Sequence, residues 1–277
     1  MRWVSMIVIF IIGLMLAGAA AAASRDENWA LCTSETSNRE AGIAACTALI
    51  ESNKETPDDL AKAFNSRGAF YGFKGQYDRA IQDFDQAIRL KADYGQAFTN
   101  RGTAYHRKGQ DDRAIQDYDE AIRLKPDDVK AFNLRGIARK DKGQYELAIK
   151  DYDEAIRLKP DYAAGLNNRC DARAVIGQLT QALADCNEAL RLHPGDAATL
   201  DNRGFTYLKT KQYPLAIADY DAALKLSPRI ASALYGRGLA KQATGDSKGA
   251  KADIAAATRI KPNIAKEFDA YGLPGPK

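Results

Sequence analysis

Residues 114–132 read AIQDYDEAIRLKPDDVKAF, and the chain says nearly the same thing twice more. AIQDFDQAIRLKADYGQAF runs from Ala80 and AIKDYDEAIRLKPDYAAGL from Ala148, a step of 34 residues each time. Within the stretch, Ala114, Ile115, Tyr118, Ala121, Ile122 and Leu124 fall on one face of a helix, with charges on the other. The step then extends in both directions. Pro126, Pro160, Pro194, Pro228 and Pro262 keep it, with Ala92 in the remaining slot. Ala80, Ala114, Ala148, Ala182, Ala216 and Ala250 form an unbroken row. Gly68, Gly102, Gly136, Gly204 and Gly238 form another, interrupted by Cys170. A fixed period of this length indicates a stack of small units that cannot each bury their own apolar face.

Each unit contains two stretches of helical length. Gly109-Gln110 and its equivalents break the pair, and a proline such as Pro126 stops the second helix. The pattern resembles the tetratricopeptide repeat family, whose unit carries a small residue, then Tyr, Ala, an aromatic and Pro. The first full unit supplies Phe64, Gly68, Tyr71, Ala80, Phe84 and Ala87 at those places. The resemblance implies an all-α, right-handed solenoid of antiparallel helix pairs. It has six full repeats (61–94, 95–128, 129–162, 163–196, 197–230, 231–264). A degenerate helix pair and link precede them over 24–60. The stretch 265–277 is then a cap and tail, with Phe268 and Tyr271 covering the last unit's open face.

The first 23 residues differ in kind. Arg2 precedes an apolar run and an alanine tract that ends before Ser24. This is the layout of a secretory signal peptide cut after Ala23. The competing reading is an uncleaved anchor, because the run approaches the roughly 20 residues that span a bilayer. Either way the chain is expected outside the cytoplasm, in the bacterial periplasm, where disulfides persist. No cysteine stands where a lipid anchor needs one.

Composition excludes more than it assigns. Net charge is +4 and the basic and acidic residues are interleaved, which argues against a nucleic-acid partner. There is no phosphate loop, no GxSxG, no HExxH and no zinc-spaced cysteine cluster. His193 sits in a turn, and His106 has no nucleophile or metal partner in sight. The expectation is a non-enzymatic chain without cofactor or metal.

Two ladders recur with the period. Arg67, Arg101, Arg135, Arg169, Arg203 and Arg237 precede the glycine slot, where the family usually has an apolar residue. Asp83, Asp117, Asp151, Asp185, Asp219 and Asp253 precede the aromatic slot. Two departures that travel together suggest a fork between the two helices of each unit. The alternative is an arginine stripe for acidic ligands. Asp85–Arg89, Asp119–Arg123, Asp153–Arg157 and Asp221–Lys225 lie four apart and are expected to be solvated pairs along one helix.

The resemblance places binding on a concave wall built from the first helix of each unit. Carried over, its slots give Asn65, Thr99, Asn100, Thr103, His106, Lys130, Asn133, Lys140, Asn167, Asn168, Asp171, Asp201, Asn202, Phe205, Tyr235 and Leu239. Side-chain amides there suit the backbone of an extended protein or peptide partner, and Phe205, Tyr235 and Leu239 suit an apolar anchor. The bland alternative is that the asparagines only solvate an open wall. The lysine slot of chaperone-gripping family members holds Asn65, Thr99, Asn133, Asn167, Asp201 or Tyr235 and never Lys. Finally, Cys170 and Cys186 take the facing glycine and aromatic slots of the fourth unit, and Cys32 and Cys46 take roughly the same slots in the degenerate one. Pairing Cys32–Cys46 and Cys170–Cys186 is expected, against two other pairings that four cysteines allow.

Overall fold

A computed structural model describes residues 23–34, 38–273 and 275. The expected leader over 1–23 lies outside the described residues except for Ala23. The described residues form helices and no strands. A short pair comes first, α1 (Arg25–Thr33) and α2 (Arg39–Glu51). Six longer pairs follow: α3 (Pro57–Phe73) with α4 (Tyr77–Leu90), α5 (Gly95–Arg107) with α6 (Asp111–Leu124), and α7 (Val129–Asp141) with α8 (Tyr145–Leu158). Then come α9 (Ala163–Val175) with α10 (Leu179–Leu192), α11 (Ala197–Lys209) with α12 (Tyr213–Leu226), and α13 (Ala231–Ala243) with α14 (Ser247–Ile260). The last helix is α15 (Ile264–Ala270).

In five of the six longer pairs the chain reverses at a glycine in the left-handed region. Gly109 has φ +71°, and the next amide, of Gln110, donates to the Tyr105 carbonyl at 2.9 Å, closing α5. In the fifth unit Lys211 takes that place at φ +59°, a conformation that costs a side-chain-bearing residue.

The glycine slot has a packing cause. A Cβ added at Gly102 would stand 2.8 Å from the Tyr118 ring, and one at Gly136 would stand 2.5 Å from Tyr152. Tyr118, Tyr152 and Tyr220 are fully buried on this contact. The fourth unit solves the same problem differently. Cys186 replaces the ring and Cys170 replaces the glycine, and the two are joined with Cα atoms 5.5 Å apart. Cys32 and Cys46 are likewise joined, at 4.9 Å, across α1 and α2.

All six arginine–aspartate forks form. Arg101 Nε and Nη2 donate to Asp117 at 2.9 and 2.6 Å. The same geometry recurs at Arg67–Asp83, Arg135–Asp151, Arg169–Asp185, Arg203–Asp219 and Arg237–Asp253. Burial pushes the Asp117 and Asp151 carboxyls up, against the pull of their arginines. Such a pair contributes little net stability, but removing one partner strands a buried charge at a cost of about 3–5 kcal/mol.

The third arginine nitrogen corrects one expectation. Arg101 Nη1 donates to Asp85 at 2.6 Å, Arg135 to Asp119 at 2.6 Å, Arg169 to Asp153 at 2.6 Å and Arg237 to Asp221 at 2.7 Å. These aspartates therefore serve the next unit rather than Arg89, Arg123, Arg157 or Lys225 four residues on. Asn187 plays the same part for Arg203 at 2.9 Å. Arg123 and Arg157 turn instead to Glu120 and Glu154. Each arginine thus fastens its own helix pair and also ties it to the preceding one.

Candidate functional site: the wall of first helices

Successive first helices α3, α5, α7, α9, α11 and α13 approach one another, whereas the second helices do not. The stack therefore curves with the first helices on its inner wall, and the wall is closest between α9, α11 and α13.

Asparagines of that wall bond to each other. Asn100 donates to Asn65 at 3.0 Å, Asn168 to Asn133 at 2.9 Å and Asn202 to Asn167 at 2.8 Å. The acceptors Asn65 and Asn133 are buried, as is Thr99. The donor of each pair sits one residue further along the next first helix, so the amides act as rungs between units. The Thr103 hydroxyl bonds back to the Thr99 carbonyl at 2.8 Å. His106 Nδ1 lies 2.7 Å from Asp111, across the turn of its own unit. Lys140 is paired with Asp171 at 2.7 Å, linking units three and four. Among the sequence-expected wall residues, Lys130 is exposed and bonds to no other side chain among the described residues.

The apolar anchor is a correction. Phe205 and Tyr235 are buried, because α15 folds onto them. The Phe268 ring stands 4.8 Å from Tyr235 and 5.8 Å from Phe205, and Tyr271 stands 5.7 Å from Phe205. Leu239 packs at the edge of the same cluster, beside Leu273. Tyr271 reaches further, to Tyr145 and Asp171 on the third and fourth units, and burial with these neighbours raises its hydroxyl well above the usual tyrosine value. The C-terminal helix therefore lies in the inner curve itself, where Ile264 and Phe268 are buried. Beneath it is a cavity of about 440 Å³ lined by Asp201, Asn202, Ser232 and Tyr271 among others. Burial pushes the Asp201 carboxyl up to about 7, against a 2.5 Å hydrogen bond from the Ser232 hydroxyl.

The N-terminal half of the wall is different. Two recesses of about 380 and 620 Å³ adjoin across Ala69, Phe73, Asn100 and Lys130. Phe73 is 70% exposed. Sequence reasoning missed it, with Arg39 and Arg107, because its slot carries no periodic signal: the equivalents are Arg107, Asp141, Val175, Lys209 and Ala243.

Among the described residues no group of three or more His, Cys, Asp or Glu side chains could hold a metal. No helix among them is long and apolar enough to cross a membrane.

A search of curated proteins returned no match. Solved structures do match. The Cut9–Hcn1 hetero-tetramer of the APC/C aligns at TM-score 0.68 and 21% identity, over 84% of this chain and 48% of that one. PilF of Pseudomonas aeruginosa aligns at 0.65 and 18%, over 78% and 99%. YrrB, described as a TPR protein with an unusual peptide-binding site, aligns at 0.56 and 23%, over 70% and 98%. The chain spans about half the length of the first of these and nearly all of the other two. At such identities the likeness is one of fold. Family models described as tetratricopeptide repeat match residues 71–129, 129–162, 197–230 and 231–264, together more than half of the sequence. With the period, the helix pairs and these matches in agreement, the chain belongs to the tetratricopeptide repeat family.

Proposed function

We propose that this protein is a non-catalytic scaffold of the bacterial periplasm that holds a protein partner against its inner wall. The observation that carries the reading is the N-terminal half of that wall. It presents two adjoining recesses, an exposed Phe73 and an exposed Lys130, whereas α15 lies over Phe205 and Tyr235 in the C-terminal half. The wall residues proposed to line the partner are Asn100, Thr103, His106, Lys130 and Asn168. Buried Asn65, Thr99, Asn133, Phe205 and Tyr235 instead hold the wall in shape.

Export is supported by the two disulfides and by the leader-like first 23 residues. Helix α1 starts on the far side of the proposed cut. Ser24 caps it by accepting from the Glu27 amide, and Glu27 accepts in turn from the Ser24 amide at 2.7 Å. Cleavage after Ala23 would leave this cap in place, with the new amino terminus beside Glu27. N-terminal sequencing of the protein from fractionated cells tests this. A start at Ser24 in the periplasmic fraction is expected, and a full-length chain in the membrane fraction would replace the free scaffold by a membrane-held one. A photo-crosslinker at Asn100 should capture a partner in the same cells. Capture only from probes on outer helices such as α6 would overturn the inner-wall assignment.

A further inference from the structure

The open half of the wall also has a sign. Arg39, Arg107 and Lys130 line its two recesses, all three are exposed, and no carboxylate among the described residues lines either recess. Elsewhere along the inner curve the cations are already committed. Lys140 is paired with Asp171, Lys261 with Glu267, and the Lys209 ammonium donates to the Ala174 and Val175 carbonyls. The fork arginines are each bound to their aspartates. Three cations with no carboxylate partner among the described residues, set around two adjoining recesses, are therefore not a consequence of the repeat. Their slots are not periodic, and a cluster of like charges whose described lining holds no carboxylate raises the potential of a concave surface.

The remaining lining says what shape of ligand suits this charge. Phe73 lies open on the wall with the Arg39 guanidinium 5.6 Å above its ring, and Leu134 lines the same recess. Asn100 gives one amide hydrogen to Asn65, and its carbonyl oxygen can accept from a backbone N–H. Cations at both ends, an aromatic face between them and an amide acceptor along the floor match an extended peptide. They do not match a flat surface, because the recesses lie between helices.

We propose that the wall formed by α2, α3, α5 and α7 docks an acidic segment of the partner protein. Its Asp or Glu side chains meet Arg39, Arg107 and Lys130, and one apolar side chain rests on Phe73. This deepens the scaffold reading and rests on it.

The test uses three fluorescein-labelled twelve-residue peptides of one length and one leucine spacing. Their remaining positions are Asp/Glu, Ser or Lys/Arg, and binding is followed by anisotropy on the full mature chain. The acidic peptide is expected to bind at least tenfold more tightly than the serine peptide. Its affinity should fall about tenfold when salt is raised from 50 to 500 mM, as screening shortens the reach of exposed charges. The R107E/K130E variant should lose most of that binding, and K130A should lose part of it. Both sites are exposed, so circular dichroism should show an unchanged fold. Equal or tighter binding of the serine or basic peptide would overturn the acidic assignment while leaving the inner wall as a docking surface. Undiminished binding to R107E/K130E would overturn the placement. Binding to phosphatidylglycerol vesicles but to none of the peptides would overturn both this inference and the scaffold reading.

Discussion

The two halves of this solenoid share a period and differ in what holds neighbouring units together. From Cys170 onward a single apolar cluster runs through α9–α14 to Phe268 in α15, with Phe205, Tyr220, Leu224, Leu234 and Tyr235 in it. Before Cys170 the buried side chains fall into four separate clusters. Units there are also joined by lysine rungs: Lys74 to Glu40, Lys108 to Asp78 and Lys142 to Asp112. The lysine rungs lapse after the third unit, where Ile176, Thr210 and Thr244 replace the lysine. These ion pairs join the end of each first helix to the preceding second helix and leave the inner face uncovered. A wall fastened by aromatic rings closes over, and α15 completes the closure.

The largest test of this difference compares two phenylalanines. Phe268 is 3% exposed and Phe73 is 70% exposed. Phe268→Ala should cost about 3 kcal/mol in urea unfolding of the C-terminal half, by analogy with other buried Phe truncations. Phe73→Ala should stay within about 0.5 kcal/mol, as an exposed substitution does. Similar losses from the two would mean that the halves do not differ as described.

The disulfides come next. Cys170–Cys186 closes a loop of 16 residues and Cys32–Cys46 one of 14. Reduction of either should lower stability by about 3 kcal/mol on the loop-entropy argument. Loss of the Cys170–Cys186 link should loosen the apolar half, because it stands where the other units place a buried ring. Thiol titration of the native chain should find no free cysteine.

A smaller, pH-dependent effect belongs to Asp201. Its folded carboxyl is raised to about 7 by burial, above the usual carboxylate value, so the folded chain holds a proton that the unfolded chain has released. Stability from this group is therefore full below about pH 4 and declines as pH rises to about 7, by roughly 1 kcal/mol per unit. Asp201→Asn should remove that slope from the difference between the two urea curves. An unchanged slope would show that Asp201 is ionised under α15.

The smallest effect is at the turn of the fifth unit. Lys211→Gly relieves a left-handed lysine and should raise stability by about 0.5–1 kcal/mol, visible as a small rise in Tm.

The helix pairs were legible because period and amphipathic pattern coincide in six units. The forks were legible for a related reason: Arg101 and Asp117 depart from the family pattern together, and so do their equivalents. The second partner of each arginine was not. Asp85 stands four residues before Arg89, and the sequence offers that local pair as readily as the contact with Arg101 of the next unit. Only stacking decides between them. The covered state of Phe205 and Tyr235 was also hidden, since α15 has no counterpart in the repeat and its docking site lies across the curve. Arg39, Phe73 and Arg107 escaped notice because a periodic reading discards whatever does not recur.

The central claim is that partners meet the N-terminal half of the inner wall while the chain's own C-terminus fills the other half. Hydrogen exchange of the chain from Ser24 to Lys277, with and without a saturating acidic peptide, tests it most directly. The account predicts added protection in α3, α5 and α7 and unchanged exchange in α11, α13 and α15. Protection of α11 and α13 with release of α15, and none in α3 or α5, would contradict it.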